Sequence, residues 1–532
     1  MRGPHSRTGT LLAAATVGSV AVGLRFWRLS WGLADGYRFP DEIVFAGRAA
    51  AFVPLSRDSF ALHEFGYPAL YGYLSGAAAA LAWALGLLDR PPHVSSPTTV
   101  LVGRVVSAAL GVATVGLVGV TATRMFSRPV GIVAAAFLAV APLHAMHAHL
   151  ALTEVALTAG AALALHAAHE LAARPGPLRA LAAGSAAGLT FATKYTGLAL
   201  LAPLGWAAAE GGARTRSVGR AAVLGASALA GFAGAFALGC PPCVTGYRRV
   251  LATMHLQRVM ARIGVGFPNN TLVPSLGWYG RPYVYQLVAA LPFGLGWPLH
   301  ALALAGVGVA LCKRTVADRV LLTTLLPYFV VIAGYRVVFP RYLLPLFPGL
   351  VILAARAGCG LRRPWMRAML LVGIFGYSLA LASTQVGRFS LDQQREIARW
   401  IAMEVPPVEG RAPRVAVPAL VRGLDYFGLA RFLTRAGLAY VPMFDGRWLQ
   451  QDPDVLVLPE WLKIAIRRDA LPQRPMLDDL EAGALGYRLG ARWPPSWYLQ
   501  RDLYTRLDPA FAADLWQGEI GFEVWVRERP TP

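Results

Sequence analysis

The chain has 532 residues, of which 56% are hydrophobic and only 15% charged, with a formal net charge of +21. Soluble domains carry about 25% charged residues, so a single soluble globular body is excluded. The charge is also uneven: from Arg388 to Pro532, 19 basic residues balance 19 acidic ones, whereas 31 basic and 10 acidic residues precede Arg388 among apolar runs. That pattern fits positively charged loops between membrane segments and argues against a nucleic-acid-binding surface.

A helix needs about 20 apolar residues to cross the hydrocarbon layer. Runs of that kind fall near 9–28, 69–88, 99–122, 130–146, 153–172, 179–193, 195–209, 221–239, 284–311, 319–335, 342–357 and 367–386. The first resembles a signal peptide, but Arg25 and Arg28 close it and further spans follow, so it reads as a retained helix. Basic residues place the N-terminus (Arg2, Arg7) and the loops at Arg124/Arg128, Arg174/Arg179, Arg214/Arg216/Arg220, Lys313/Arg314/Arg319 and Arg362/Arg363/Arg367 in the cytoplasm. The alternation puts 29–68, about 144–154, 240–283, 335–341 and the tail outside. Two runs, 69–88 and 99–122, lie between an outside and an inside loop, which only an odd number of crossings can join; the expectation is 11 spans, with 13 as the alternative. Residues 1–387 thus form a polytopic α-helical membrane domain.

Residues 388–532 read as a small soluble α/β domain outside the membrane. LDQQREIARWIAMEV (391–405) has the period of an amphipathic helix. RVAVPA (414–419) and DVLVLPEW (454–461) read as buried strands, 423–437 as a helix ending at a glycine, and FEVWVRE (522–528) as a late strand. Cys240 and Cys243 form CPPC at an outside segment end, as a local disulfide or as unpaired structural thiols. With no second CxxC, a four-thiolate zinc site is excluded.

Acids are scarce before Arg388, and five of the ten (Asp35, Asp41, Glu42, Asp58 and Glu64) fall in the first outside loop. Asp41 and Glu42, in FPDEIVFAGRA, stand at the start of a helix, where the dipole and free N–H groups favour a carboxylate. The chemical reading is a general base for an acceptor hydroxyl; the plainer one is a helix cap. Glu154 follows His144, His147 and His149, whose spacing does not match a common helical metal site. A polar cluster near the outer surface, rather than a metal site, is the expectation there. Lys194 sits between two apolar runs, where it reads either as a snorkelling side chain or as a contact to an anionic headgroup or phosphate. Arg336 and Arg341 lie outside, against the positive-inside trend, and an arginine fork suits phosphate. In 244–264, Arg248, Arg249, Arg258 and Arg262 alternate with apolar residues, as in a helix lying on the membrane surface. These four and Arg281 read equally as lipid anchors or as substrate contacts.

In order, the Asp-Glu pair, HEFGYPALYGYL (63–74), GRVVSAALGVATV, HLALTEVAL, GLTFATKYTGL and FPRYLLPLFPGL resemble the polyprenyl-phosphate-sugar-dependent glycosyltransferases of the protein O-mannosyltransferase and aminoarabinose transferase type, with the GT-C fold. The resemblance covers roughly 10–405 and extends to a C-terminal extracytoplasmic domain of the kind common in bacterial members. It implies a bacterial inner-membrane enzyme that takes one sugar from a lipid monophosphate and passes it, with inversion and without a required metal, to a protein, glycolipid or cell-wall glycan. Asp41 would match the catalytic base, Glu42 its motif partner and Glu154 the second-loop acid. Lys194, Arg341, Tyr342 and Arg336 would hold the donor phosphate, and His63, Tyr67 and His149 would line the cavity. A transporter or flippase for a lipid-linked sugar is the alternative, but paired halves with broken helices at the midplane are not evident. A membrane scaffold acting through its tail is a third reading.

Overall fold

In the computed structural model of the chain, all residues are described except 1–3, 36–38, 40, 54, 62–64, 89, 95, 265–271, 273–276, 279, 419–427, 444–450, 469–473, 495–498, 500–520 and 529–532. The chain divides into two units. The first comprises Met1–Leu29, Val44–Leu272 and Arg281–Val386; the second comprises Ser30–Ile43, Val273–Gly280 and Gly387–Pro532.

The first unit is helical. Its elements begin with α1 (Pro4–Phe26), α2 (Glu42–Ala50, whose first two residues belong to the second unit), α3 (Leu70–Ala84), α4 (Pro97–Met125), α5 (Arg128–Ala139) and α6 (Pro142–His147). They continue with α7 (Thr153–Ala173), α8 (Pro177–Thr193), α9 (Leu201–Arg214), α10 (Val218–Gly239), α11 (Pro241–Thr245) and α12 (Tyr247–Ile263). The remainder are α13 (Pro282–Tyr285), α14 (Leu291–Leu295), α15 (Trp297–Lys313), α16 (Val316–Ala333), α17 (Phe347–Cys359) and α18 (Pro364–Gly387). Among the described residues, six helical stretches are long and apolar enough to cross a membrane, or seven if one bent pair counts as a single span.

Several sequence-predicted spans are broken, for identifiable reasons. The run 284–311 bends by 119° between α14 and α15, at Gly296, whose φ is 83° and which Pro298 follows; only glycine adopts that φ without strain. The run 130–146 is interrupted ahead of Pro142, and 195–209 opens as the 3₁₀ segment Tyr195–Leu200. With 15 residues, α3 rises about 22 Å, short of the ~30 Å hydrocarbon layer. Of the two runs that raised the parity problem, α4, with 29 residues, is the full-length one.

The centre of the unit is α7 together with Pro340–Cys359, whose apolar windows are 67% and 78% buried, against 22% for the peripheral α10. Helices α8 and α10 meet backbone to backbone: a Cβ on Gly184 or Gly188 would strike the Ala228 or Phe232 carbonyl, and one on Gly231 the Leu181 carbonyl. Small residues permit that approach. Two buried arginines reach backbone carbonyls of other segments. Arg25 donates to the Leu138 and Ala139 carbonyls at 2.9 and 3.0 Å, placing a cation at the C-terminus of α5, and its guanidinium lies 2.8 Å from His144 Nδ1. Arg104 donates to the Leu29 carbonyl at 2.8 Å. Cys240 and Cys243 are joined in a disulfide between α10 and α12.

The second unit contains a five-stranded sheet. Its tail elements are α19 (Asp392–Glu404), β1 (Arg414–Pro418), α20 (Leu429–Arg435), β2 (Ala439–Met443), β3 (Val455–Pro459), α21 (Glu460–Arg468), α22 (Arg474–Glu481), β4 (Tyr487–Trp493) and β5 (Phe522–Arg527). The strand order is β2-β1-β3-β5-β4, with β1 parallel to β2 and β3, and β5 antiparallel to β3 and β4. Ala416, Leu456, Leu458, Ile466, Leu477 and Trp525 contribute to its apolar core. The buried Asp454 carboxylate accepts from Arg411 at 2.7 Å and from the Arg414 amide at 2.8 Å, fixing the approach to β1. Of the predicted helix 423–437, residues 423–427 lie outside the described set and Leu429–Arg435 is observed.

Candidate functional site

A cavity of about 980 Å³ opens in the first unit, lined by residues from the Gly66–Tyr67 turn, α7, the 194–199 segment, α12, α16 and the stretch to Tyr342. Behind two of its lining cations lies Glu154, the second residue of α7, where the first-turn position favours an anion. Helix α8 stops at Thr193, and Lys194 leaves it in an extended conformation (φ −156°, ψ 138°). The Lys194 ammonium lies 2.8 Å from Glu154 Oε1, and Arg341 Nε lies 3.6 Å from the same oxygen. All three side chains are largely buried, with exposures of 6% for Glu154, 15% for Lys194 and 8% for Arg341.

Aromatic rings surround these charges. The Lys194 ammonium stands 4.8 Å from the Tyr342 ring centroid and 5.9 Å from that of Tyr67, and the Arg341 guanidinium stacks 4.3 Å over Phe339. The Tyr328 hydroxyl donates to the Tyr342 carbonyl at 3.1 Å. The Phe65–Pro68 turn is held by Arg48, which donates to the Pro68 and Tyr67 carbonyls, by the Tyr195 hydroxyl on the Phe65 carbonyl at 3.0 Å, and by Gln257 on the Gly66 carbonyl at 3.0 Å.

Two further cations, Arg258 and Arg262, line the cavity from α12, with Tyr335 beside them. Burial pushes the Tyr335 phenol above its ordinary value while the two arginine charges pull it down, so it stays a neutral donor at physiological pH. Along the same cavity Leu198, Val330 and Val331 remain 41%, 55% and 51% exposed. Of the 17 residues of α12 only Val250 is buried, while Leu251, Leu256 and Ile263 are exposed alongside its arginines, the pattern of a helix at a lipid surface.

The structure therefore brings together Glu154, Lys194, Arg341, Tyr342 and Tyr67. Two other predicted residues of this unit, His149 and Arg336, do not line the cavity. His149 is buried away from the cavity, its ring nitrogens 2.9 and 2.8 Å from the Ala145 and Trp27 carbonyls. Arg336 donates to the Leu272 carbonyl at 3.2 Å and its amide to the Ala261 carbonyl at 2.9 Å, so it anchors the end of α12 rather than lining the cavity. Asp41 and Glu42 belong to the second unit. The Glu42 carboxylate is fully buried and accepts from the Phe39 amide at 2.9 Å, closing the turn ahead of α2, while Asp41 is half-buried. His63 lies outside the described residues. Among the described residues no group of three or more His, Cys, Asp or Glu side chains is placed to hold a metal ion. Arg48, Gln257, Tyr328 and Tyr335 were not singled out by sequence; only the run of outside arginines pointed toward this face.

Residues 97–235 match the sequence model of the family described as dolichyl-phosphate-mannose-protein mannosyltransferase. No curated protein matches the chain by sequence. Among solved structures, ArnT from Cupriavidus metallidurans bound to undecaprenyl phosphate superposes with a TM-score of 0.51 at 15% identity, covering 96% of this chain and 97% of that one. The archaeal oligosaccharyltransferase AglB from Archaeoglobus fulgidus, in complex with an inhibitory peptide and a dolichol-phosphate, gives 0.49 at 12% identity over 94% and 75% of the two chains. The fold is thus the multi-pass GT-C architecture of membrane glycosyltransferases that draw on lipid-linked sugars.

Proposed function

We propose that this membrane glycosyltransferase transfers a single sugar from a polyprenyl-phosphate carrier to a hydroxyl on an extracytoplasmic acceptor, with inversion at the anomeric carbon. The observation that carries the reading is the cavity itself: Lys194, Arg341, Arg258 and Arg262 line the same space as the exposed apolar side chains Leu198, Val330 and Val331. A ligand that suits both is an amphiphile with an anionic head and a hydrocarbon tail. Basic side chains grip phosphate oxygens by charge-assisted hydrogen bonds, and the apolar wall suits an isoprenoid chain at the bilayer edge.

In the reaction we envisage, Asp41 accepts the proton of the acceptor hydroxyl as its oxygen attacks the anomeric carbon. The bond from that carbon to the phosphate oxygen breaks, and the electron pair leaves with the lipid phosphate. The cations of the cavity stabilise the charge that grows on the leaving group. The assignment of Asp41 rests on the sequence resemblance and on its position directly ahead of α2. Glu154 holds Lys194 and Arg341 in place between donors. No resident metal takes part. By the positive-inside reading, the site faces the non-cytoplasmic side of a bacterial inner membrane, with the N-terminus in the cytoplasm.

The test is Asp41→Asn in membranes supplied with labelled polyprenyl-phosphate sugars. Loss of a general base lowers turnover by about 10²–10⁴-fold. Transfer at the wild-type rate would remove Asp41 as the base. Movement of the labelled lipid across the membrane with no new glycosidic bond would instead identify a transporter.

A further inference from the structure

Asp35 stands six residues before Asp41 in the first outside loop, and it is engaged by three arginines of the tail. The Arg395 guanidinium donates to Asp35 Oδ2 at 3.2 Å, Arg435 to Asp35 Oδ1 at 3.0 Å, and Arg431 to the Asp35 backbone carbonyl at 3.3 Å. All four residues lie within the second unit. Arg395 comes from α19, and Arg431 and Arg435 from α20. Arg395 is itself oriented by Asp392 at 3.1 Å and by stacking over the Phe432 ring at 5.5 Å, so the cluster joins both helices. The Asp35 side chain is only 18% exposed.

An apolar contact seats the start of the same loop. Trp31 is buried with its ring 5.1 Å from that of Phe389, and Leu33 is also buried. Between the two anchors the backbone turns tightly, with the Asp35 amide donating to the Gly32 carbonyl at 3.2 Å, and Gly32 adopting a φ of 70°. Beyond Asp35, Phe39 is buried and its amide is held by Glu42. The described residues ahead of α2 are therefore held at Trp31, Asp35 and Phe39, and the side-chain contacts at Asp35 come from the tail domain.

We propose that Asp35 is a positioning residue: through Arg395, Arg431 and Arg435 the extracytoplasmic domain holds the loop that carries Asp41, so that turnover depends on a domain that supplies none of the reacting groups. This rests on the reading of Asp41 as base. An isolated exposed ion pair contributes little, but here two guanidinium groups converge on one carboxylate while a third holds the adjoining carbonyl. A base displaced by about 1 Å can lose about 10²-fold in rate, so a loop that wanders lowers the rate of the chemical step without changing donor affinity.

The experiment uses the full chain in lipid nanodiscs, with Asp35→Asn, Arg435→Gln, the double variant and Asp35→Glu. Amide hydrogen exchange over residues 39–50 reads loop order directly, without any catalytic assay. Turnover is followed in parallel with undecaprenyl-phosphate mannose and undecaprenyl-phosphate aminoarabinose. Each single variant is expected to speed exchange and to lower kcat about tenfold with KM for the donor unchanged; the double variant should be no worse than either single one, and Asp35→Glu should recover part of the loss. Unchanged exchange overturns the brace, and faster exchange with unchanged kcat overturns the positioning role. A wild-type chain inactive with both donors would count against the donor reading instead, and exchange alone would then decide the brace.

Discussion

Lys194 meets Glu154 at 2.8 Å although the two residues come from opposite ends of successive helices, one just past the end of α8 and the other in the first turn of α7. The pairing neutralises a cation that lines the cavity. Arg341, at 3.6 Å from the same carboxylate oxygen, shares that carboxylate. On the proposed reading, a lipid phosphate at this end would compete with Glu154, whereas Arg258 and Arg262 line the cavity from α12.

Removing the carboxylate charge exposes that competition. Breaking one partner of a buried ion pair costs about 3–5 kcal/mol when burial is complete, and less here because Lys194 keeps 15% exposure. Glu154→Gln is expected to lower the melting temperature of the empty protein, and undecaprenyl phosphate should raise it more in the variant than in the wild type. Thermal melts in nanodiscs with and without the lipid measure both effects. Equal increments in the two proteins would mean that the carboxylate and the phosphate do not share a site.

The arginines of α12 should act on binding. A hydrogen bond to a charged group contributes about 1.5–3 kcal/mol, reduced by the solvent exposure of Arg258 and Arg262. Arg258→Gln and Arg262→Gln are each expected to raise the KM for the lipid donor about tenfold at most, with a smaller change in kcat. A titration of undecaprenyl phosphate by tryptophan fluorescence checks the affinity separately. Unaltered affinity in both variants would leave these side chains as lipid-surface anchors alone.

The seam between α8 and α10 sets the position of Lys194 from a distance. A methyl group at Gly188 would meet the Phe232 carbonyl, whereas one at Gly225 on α10 has nothing within 4 Å. Forced overpacking costs about 1–3 kcal/mol, so Gly188→Ala should melt earlier and turn over more slowly, while Gly225→Ala should match or exceed the wild type in stability. Melting curves of the pair decide whether the close approach matters.

Cysteine labelling tests the orientation. Cys312 is exposed at the end of α15 next to Lys313 and Arg314, a cytoplasmic position by the positive-inside rule. A membrane-impermeant maleimide applied to intact spheroplasts should leave Cys312 untouched and react only after permeabilisation. Immediate labelling would invert the assigned topology.

Much of this was legible in the sequence because the signals are local. Helices α4, α7, α10, α16 and α18 are apolar runs with recognisable ends, and β1, β3 and β5 follow short β-branched or alternating stretches. Lys194 and Arg341 were visible as charges out of place. The bend at Gly296 was not, because the composition stays apolar on both sides of it. Strand β4 was legible but not read: Tyr487, Leu489, Ala491 and Trp493 alternate with Arg488, Gly490 and Arg492, although Gly490 and a register irregularity between Leu489 and Ala491 weaken the signal. Arg336 looks in sequence like a phosphate ligand, yet its partner is a backbone carbonyl 64 residues away. Such pairings are set by tertiary geometry, which neither periodicity nor charge counting encodes.

The brace at Asp35 also fixes a sequence in time. Its side-chain partners Arg395 and Arg435 leave the ribosome 360 and 400 residues after it, when nearly every hydrophobic helix has already been threaded into the bilayer. Through most of translation the segment at Asp35 therefore waits without them, and a chain cut short ahead of Arg388 lacks all three of its arginine partners. The contacts at Asp35 can thus close only once the last segment of the chain has been made.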